Sequence, residues 1–143
     1  MQVKEIMTSD VETIDSDITI MQAASLMKQL NIGALPVWKE QRLIGMVTDR
    51  DISVRAVAEG KDASETYVKD IMTPQVYYCF EDDDIHEAAS LMEEKSIHRL
   101  LVLSADNQPV GFVSLADFAV KCRDERLAWE ILEKLSEPAC PHR

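Results

Sequence analysis

Two stretches of the chain have residue types and spacing suited to ligand chemistry: Gly45-x-x-Thr48-x-x-Asp51 and Gly111-x-x-Ser114-x-x-Asp117. Each falls where an apolar strand-like run meets a helix-like run. A glycine there keeps a side chain out of the way of an approaching group. The hydroxyl stands at the helix entrance, where free backbone N–H groups and the helix dipole favour phosphate. The aspartate three residues on shares the face of the first turn, and its two oxygens can accept hydrogen bonds from two vicinal ribose hydroxyls. The same spacing is also that of a helix-capping box, although Glu is commoner than Asp at the last position. Spacing alone leaves both uses open.

The elements that would carry these groups form an internal repeat. Val3-Lys4-Glu5-Ile6-Met7-Thr8 returns as Val68-Lys69-Asp70-Ile71-Met72-Thr73, and Ala23 to Met27 returns unchanged as Ala88 to Met92. Residues 3–38 laid on 68–103 give 16 identities in 36 positions; after one inserted residue Gly45 falls on Gly111. The boundaries are repeat 1 over 1–60, a polar linker over 61–67, repeat 2 over 68–122, and a C-terminal extension and tail over 123–143. Within a copy the pattern predicts strand, helix, strand, strand, helix. In the first copy these are a strand at Val11 to Ile14 and a helix capped by Ser16 or Asp17. That helix has its apolar stripe at Ile20, Ala23, Ala24, Met27 and Leu30, and ends at Asn31 and Gly33. Strands at Leu35 to Trp38 and Leu43 to Thr48 follow, joined by a polar turn. A second helix runs from Asp49 to about Glu59 and closes at Gly60. In the second copy the acids Glu81 to Asp84 precede a helix, where they compensate its dipole. A last helix over Ala116 to Ser136 places Leu127, Ile131 and Leu135 at four-residue spacing, to pack on its own domain or on a second subunit.

Bulk properties narrow the function classes. The chain has 143 residues, 46% of them hydrophobic, enough for a real core. A net charge of −11 argues against nucleic acid and anionic membrane surfaces, both of which call for basic stripes. No apolar run reaches a membrane-spanning length, and the N-terminus lacks a secretory signal profile, so a cytoplasmic location is expected. Cys79, Cys122 and Cys140 share no metal-type spacing, and Cys140-Pro141-His142 is too poor a ligand set to hold a metal. The three histidines are His86, His98 and His142. None pairs with a nucleophile in the repeat pattern, so no enzyme is expected and no obligatory cofactor is called for.

The ordered set of Val-Lys-x-Ile-Met-Thr, Ala-Ala-Ser-Leu-Met, Ile-x-x-Leu-x-Val at Ile32 to Val37 and Ile97 to Val102, and the Gly/hydroxyl/Asp motif resembles the CBS (cystathionine β-synthase) domain family. The likeness covers roughly residues 3–120, and the chain looks like the stand-alone bacterial two-repeat members, known as Bateman modules. The resemblance implies an α/β (α+β) fold of tandem βαββα repeats packed about a pseudo-two-fold axis, here with an extended C-terminal helix. It further implies adenosine-ligand clefts between the copies, holding AMP, ADP or ATP, or else NAD or S-adenosylmethionine. By that likeness Thr48 and Asp51 share a cleft with Ile97, His98, Arg99 and the strand at Tyr77-Tyr78, with Arg50 in reach. Ser114 and Asp117 share the other with Thr13, Ile14, Ala34 and Pro36. His98, Arg99 and Arg50 are phosphate partners for the first cleft, whereas Gly33 and Ala34 leave the second without a cation, so the Asp51 cleft is expected to be tighter. Leu101 departs from the family's proline, and Tyr78 either stacks on adenine or plugs the cleft. The resemblance also implies a regulatory homodimer that signals to a separate, unidentified protein. The competing use is a ligand-free dimerisation scaffold.

Overall fold

The computed structural model describes residues 1–9 and 11–136. Its backbone divides into two compact units that do not follow the sequence boundaries of the copies. A central unit is Glu12–Val76, and a split unit joins Met1–Val11 to Tyr77–Arg143.

The central unit contains β1 (Ile14–Asp15), α1 (Ile20–Leu30), β2 (Ala34–Lys39), β3 (Arg42–Thr48), α2 (Asp49–Asp51, continued as a π-helical stretch over Ile52–Val57) and α3 (Val68–Ile71). Its sheet has the order β1-β2-β3, with β1 parallel and β3 antiparallel to β2. β2 and β3 are joined at Glu40 and Gln41, with φ of 50° and 66°. These left-handed residues form the tight turn that matches strand twist, made here without the usual Asn-Gly pair. Ile14, Ile20, Ala23, Met27, Leu35, Val37, Val47, Ala56, Val68 and Ile71 form the core.

Several local expectations are corrected here. The first strand is Ile14–Asp15 rather than Val11 to Ile14. The cap of α1 is Thr19, not Ser16 or Asp17: Gln22 N–H donates to Thr19 Oγ1 at 3.2 Å and Thr19 N–H to Gln22 Oε1 at 2.9 Å. Asp17 N–H is instead held by the Asp15 carboxylate at 2.8 Å, in a turn that delays the helix, and Ser16 is buried. Of the expected stripe, Ala24 and Leu30 face solvent. Asn31 closes α1 in the left-handed conformation, as its turn chemistry predicts. After Val57 the chain turns at Gly60, whose φ of 71° needs the missing Cβ.

The split unit contains a 3₁₀ turn (Val3–Glu5), β4 (Tyr78–Phe80), α4 (Ile85–Lys95), β5 (Arg99–Leu103), β6 (Pro109–Ser114), α5 (Leu115–Lys121) and α6 (Glu125–Ser136). Its sheet repeats the plan, β4-β5-β6, with β4 parallel and β6 antiparallel to β5. The last helix is not continuous from Ala116 to Ser136. Cys122 turns extended, and Asp124 starts α6 by accepting Leu127 N–H at 3.1 Å. This break lets Leu127, Ile131 and Leu135 fold back into a core with Ile85, Ala88, Met92 and Phe118. The stripe therefore packs on its own unit, while Trp129 on α6 is 67% exposed.

Asp84, last of the acidic run, caps α4 by accepting His86 N–H at 2.8 Å. Burial pushes the Cys79 thiol up to about 12, so it remains a protonated apolar filler. No helix among the described residues is long and apolar enough to cross a membrane. No group of three or more His, Cys, Asp or Glu able to hold a metal occurs among them, and Cys140 and His142 lie outside them.

Candidate functional site

The opening hexads explain the division of the chain. Thr8 pairs through its backbone with Phe112 on β6, in bonds of 2.8 and 2.9 Å, and Val3 N–H donates to Asp83 O at 2.8 Å. The second hexad does the same on the central unit: Thr73 pairs with Met46 on β3 at 2.8 and 2.9 Å, and Val68 N–H donates to Ile18 O at 2.9 Å. Each copy's opening segment is thus laid against the body of the other copy.

This docking gives the motif glycines a different reason from the expected one. A Cβ at Gly45 would stand 2.6 Å from Met72 Sδ and 2.9 Å from Thr73 O, and one at Gly111 would run into the Thr8 carbonyl. Glycine is required there because a second backbone crosses the strand, whatever else approaches it.

The hydroxyl–aspartate pairs form capping boxes in both units. Thr48 N–H donates to Asp51 Oδ2 and Asp51 N–H to Thr48 Oγ1, both at 3.0 Å. Ser114 N–H donates to Asp117 Oδ2 at 2.9 Å and Asp117 N–H to Ser114 Oγ at 3.3 Å. The expectation of free helix N–H groups for phosphate is corrected in the central unit. Asp49 N–H is taken by Gly33 O at 3.0 Å, Arg50 N–H by Asp49 Oδ1 at 2.8 Å, and Asp51 N–H by Thr48. In the split unit Leu115 N–H is likewise taken by His98 O at 3.0 Å. Phosphate binding at the central-unit junction would have to come from side chains.

Capping does not exhaust either carboxylate. Asp51 and Asp117, 9% and 6% exposed, are the charged side chains buried among the described residues. Each turns its second oxygen to the same two kinds of group. Asp51 Oδ1 receives the Thr73 hydroxyl at 3.5 Å and faces Arg55 Nε at 3.8 Å. Asp117 Oδ1 receives the Thr8 hydroxyl at 3.2 Å and faces Lys121 Nζ at 3.4 Å. Arg55 also donates through Nη1 to the carbonyls of Ile71 and Met72, at 3.4 and 3.3 Å.

Thr8, Thr73, Arg55 and Lys121 were not among the residues singled out from sequence. Both cations stand four residues after the motif aspartate, on the same helical face, and this shared spacing was the available signal. The threonines end the repeated hexad, but nothing local shows where that hexad docks.

The other expected site residues fall as follows. In the central unit, Ala34 pairs with Thr48 and Pro36 with Met46, both buried, while Ile14 pairs with Val37. Thr13 and Arg50 are exposed. In the split unit, Arg99 pairs with Ser114 across β5 and β6. His98 and Arg99 are exposed, and Ile97 is half-buried. Tyr78 is exposed beside Phe80, edge to face at 5.8 Å between ring centres, so it is not core filler among the described residues.

Comparisons with known proteins give a consistent picture. The chain is similar to the CBS domain-containing protein YhcV of Bacillus subtilis, 39% identical over 134 residues and 94% of each chain. It is 34% identical to hypoxic response protein 1 of Mycobacterium tuberculosis over 117 residues, 81% of each chain. A crystal structure of Hypoxic Response Protein I with two coordinated zinc ions matches with a TM-score of 0.71 at 33% identity, covering 83% of this chain and 97% of that one. The CBS domain pair of protein MJ0100, in complex with 5′-methylthioadenosine and S-adenosyl-L-methionine, matches with a TM-score of 0.72 at 31% identity, covering 83% and 93%. The CBS domain model itself matches residues 3–56 and 68–123, one stretch per copy. Two matched repeats, their exchanged opening hexads and the duplicated carboxylate sites lead to one statement of kinship: this chain belongs to the CBS domain family.

Proposed function

We propose that the protein is a regulatory module that binds an adenosine-containing nucleotide through Asp51 and Asp117 and signals to a separate protein. The observation that carries this reading is the pair of buried carboxylates at equivalent junctions, each with an oxygen beyond its capping box. A buried carboxylate is well suited to a vicinal diol, because hydrogen bonds to a charged acceptor are stronger than neutral ones. The bound 5′-methylthioadenosine and S-adenosylmethionine in the MJ0100 pair support an adenosine ligand. The ligand candidates are AMP, ADP, ATP, NAD and S-adenosylmethionine, with exposed Arg50, His98 and Arg99 as phosphate partners and Tyr78 as a base-stacking surface. Asp51 is proposed as the tighter site, and self-association into a homodimer as the signalling form. Exposed Val54, Val57 and Val120 are apolar surface that such an assembly would cover.

Calorimetric titration with AMP, ATP, NAD and S-adenosylmethionine tests the reading. At least one is expected to bind, Asp51→Ala is expected to weaken it more than Asp117→Ala, and the mass in solution is expected to be that of a dimer. Silence from all four would favour a second reading, a ligand-free scaffold. The completeness of both capping boxes favours that alternative.

A further inference from the structure

The two helix entrances share a capping box but differ at the residue just after the cap. The central unit has Asp49 after Thr48, where the split unit has Leu115 after Ser114. Both residues give their backbone N–H to the residue before the second strand of their unit. Asp49 donates to Gly33 O and Leu115 to His98 O, each at 3.0 Å. Beyond that shared bond they part. Leu115 packs against the split-unit core. Asp49 is exposed, yet its carboxylate is held from two sides. Its Oδ1 accepts Arg50 N–H at 2.8 Å, and its Oδ2 lies 2.9 Å from where a Cβ on Gly33 would stand. Gly33 leaves the room that this carboxylate fills, whereas the split unit has His98, with a full side chain, at the matching place.

Asp49 thus fixes a second negative charge on the turn that carries Asp51. Two cations share that turn. Arg55 faces Asp51 at 3.8 Å and donates to the Ile71 and Met72 carbonyls. Arg50 gives Asp49 its backbone N–H and carries its guanidinium on a long exposed side chain, which loses rotamer freedom if a ligand fixes it. On the nucleotide reading above, on which this inference rests, a ribose held by Asp51 brings its C5′ substituent within about a Debye length, ~10 Å, of Asp49. We propose that Asp49 is a specificity residue, selecting at the Asp51 site adenosine ligands whose C5′ substituent is uncharged or cationic. S-adenosylmethionine, with its sulfonium, is the candidate of that class; AMP, ADP, ATP and NAD bring phosphate against a fixed carboxylate. Arg50 then serves phosphorylated ligands less well than its charge alone suggests. The Asp117 site, with Leu115 in the matching place, has no such charge and does not discriminate in this way.

The test is amide NMR titration of the full chain with adenosine and with AMP, which differ only in the phosphate, for wild type and Asp49→Asn. Shifts at the Arg50 and Asp51 amides report this site apart from the one at Asp117. Asparagine keeps an oxygen for Arg50 N–H and removes only the charge. Wild type is expected to bind adenosine more tightly than AMP. Asp49→Asn is expected to tighten AMP about threefold to tenfold and to leave adenosine unchanged. That gain is expected to shrink between about 0.01 M and about 0.15 M salt, as the Debye length falls from about 30 Å to about 8 Å. A gain indifferent to salt would assign it to altered structure and overturn the proposal. If wild type prefers AMP, or Asp49→Asn binds AMP no more tightly than wild type does, Asp49 does not discriminate while nucleotide binding stands. If neither ligand shifts these amides in either protein, Asp51 holds no ribose and the selection by Asp49 falls with it.

Discussion

The central and split units hold their buried carboxylates with matching groups, yet they secure the surrounding structure differently. In the central unit the cation at the fourth position is Arg55, which spans the carboxylate and two carbonyls of the docked hexad. In the split unit Lys121 reaches the carboxylate, and further support comes from α6, which has no counterpart in the central unit. Arginine's planar fork can serve several acceptors at once, whereas lysine acts as a compact point charge. Duplication preserved the cap and the threonine contact while the means of bracing each unit diverged. The site geometry therefore tolerates change in its supports but keeps a threonine hydroxyl and a cation beside each carboxylate.

That contrast can be broken most forcefully at α6. Ile131 is fully buried in the split-unit core, so Ile131→Ala is expected to destabilise by about 2–5 kcal/mol, by lost burial and the cavity left behind. Urea unfolding followed by hydrogen exchange should place the loss in the split unit; equal loosening of the central unit would show that α6 braces more than its own core. Next come the crossing glycines. Gly111→Ala meets the Thr8 backbone, and about 1–3 kcal/mol of overpacking strain is expected. Gly45→Ala, whose nearest obstacle is the flexible Met72 side chain, is expected to lose less. Thermal melts of the two variants rank them, and the reverse order would contradict the backbone-crossing account.

The caps sharpen the comparison further. Thr48→Ala and Ser114→Ala each remove one capping oxygen, an expected loss of about 0.5–2 kcal/mol. Similar values for the two, from denaturant titration, would confirm that the junctions are equivalent as caps. The smallest effect expected is one of pH, confined to the split unit. His86 Nδ1 lies 2.8 Å from Asp84 and its Nε2 3.2 Å from Asp124, linking the cap of α4 to the cap of α6. The Asp84 hydrogen bond raises the imidazole pKa above its usual 6.5, with Asp124 adding to it. Because the folded value is the higher one, this stabilisation is complete below pH 6.5 and disappears as pH rises through the folded pKa. The melting temperature should fall slightly across that window in wild type and not in His86→Ala. A histidine proton titration at or below 6.5 would remove the cause.

The repeat and the strand and helix order were legible because both are written in local pattern. Ile20, Ala23 and Met27 recur at helical spacing, and Ile85, Ala88 and Met92 repeat it. The pair of carboxylates was legible too, as one motif occurring twice. The long last helix was misread because Leu127, Ile131 and Leu135 keep helical spacing across a break that only the Asp124 cap and the returning core reveal. The α1 cap was misplaced because Ser16, Asp17 and Thr19 all have capping side chains, and the choice among them depended on the turn made by Asp15.

Residue types and spacing in the chain were enough to specify two copies of one unit, each with a hydroxyl and an acid at a helix entrance. They could not specify which copy's threonine completes which carboxylate, nor that the glycines make room for backbone. Those contacts join residues as far apart as Thr8 and Asp117, and they exist only once the opening hexads dock on the other copy's strand. Short-range pattern encodes an element and its buried face. Long-range pairing depends on which surfaces remain unsatisfied after the elements form, and folding decides that for the chain as a whole.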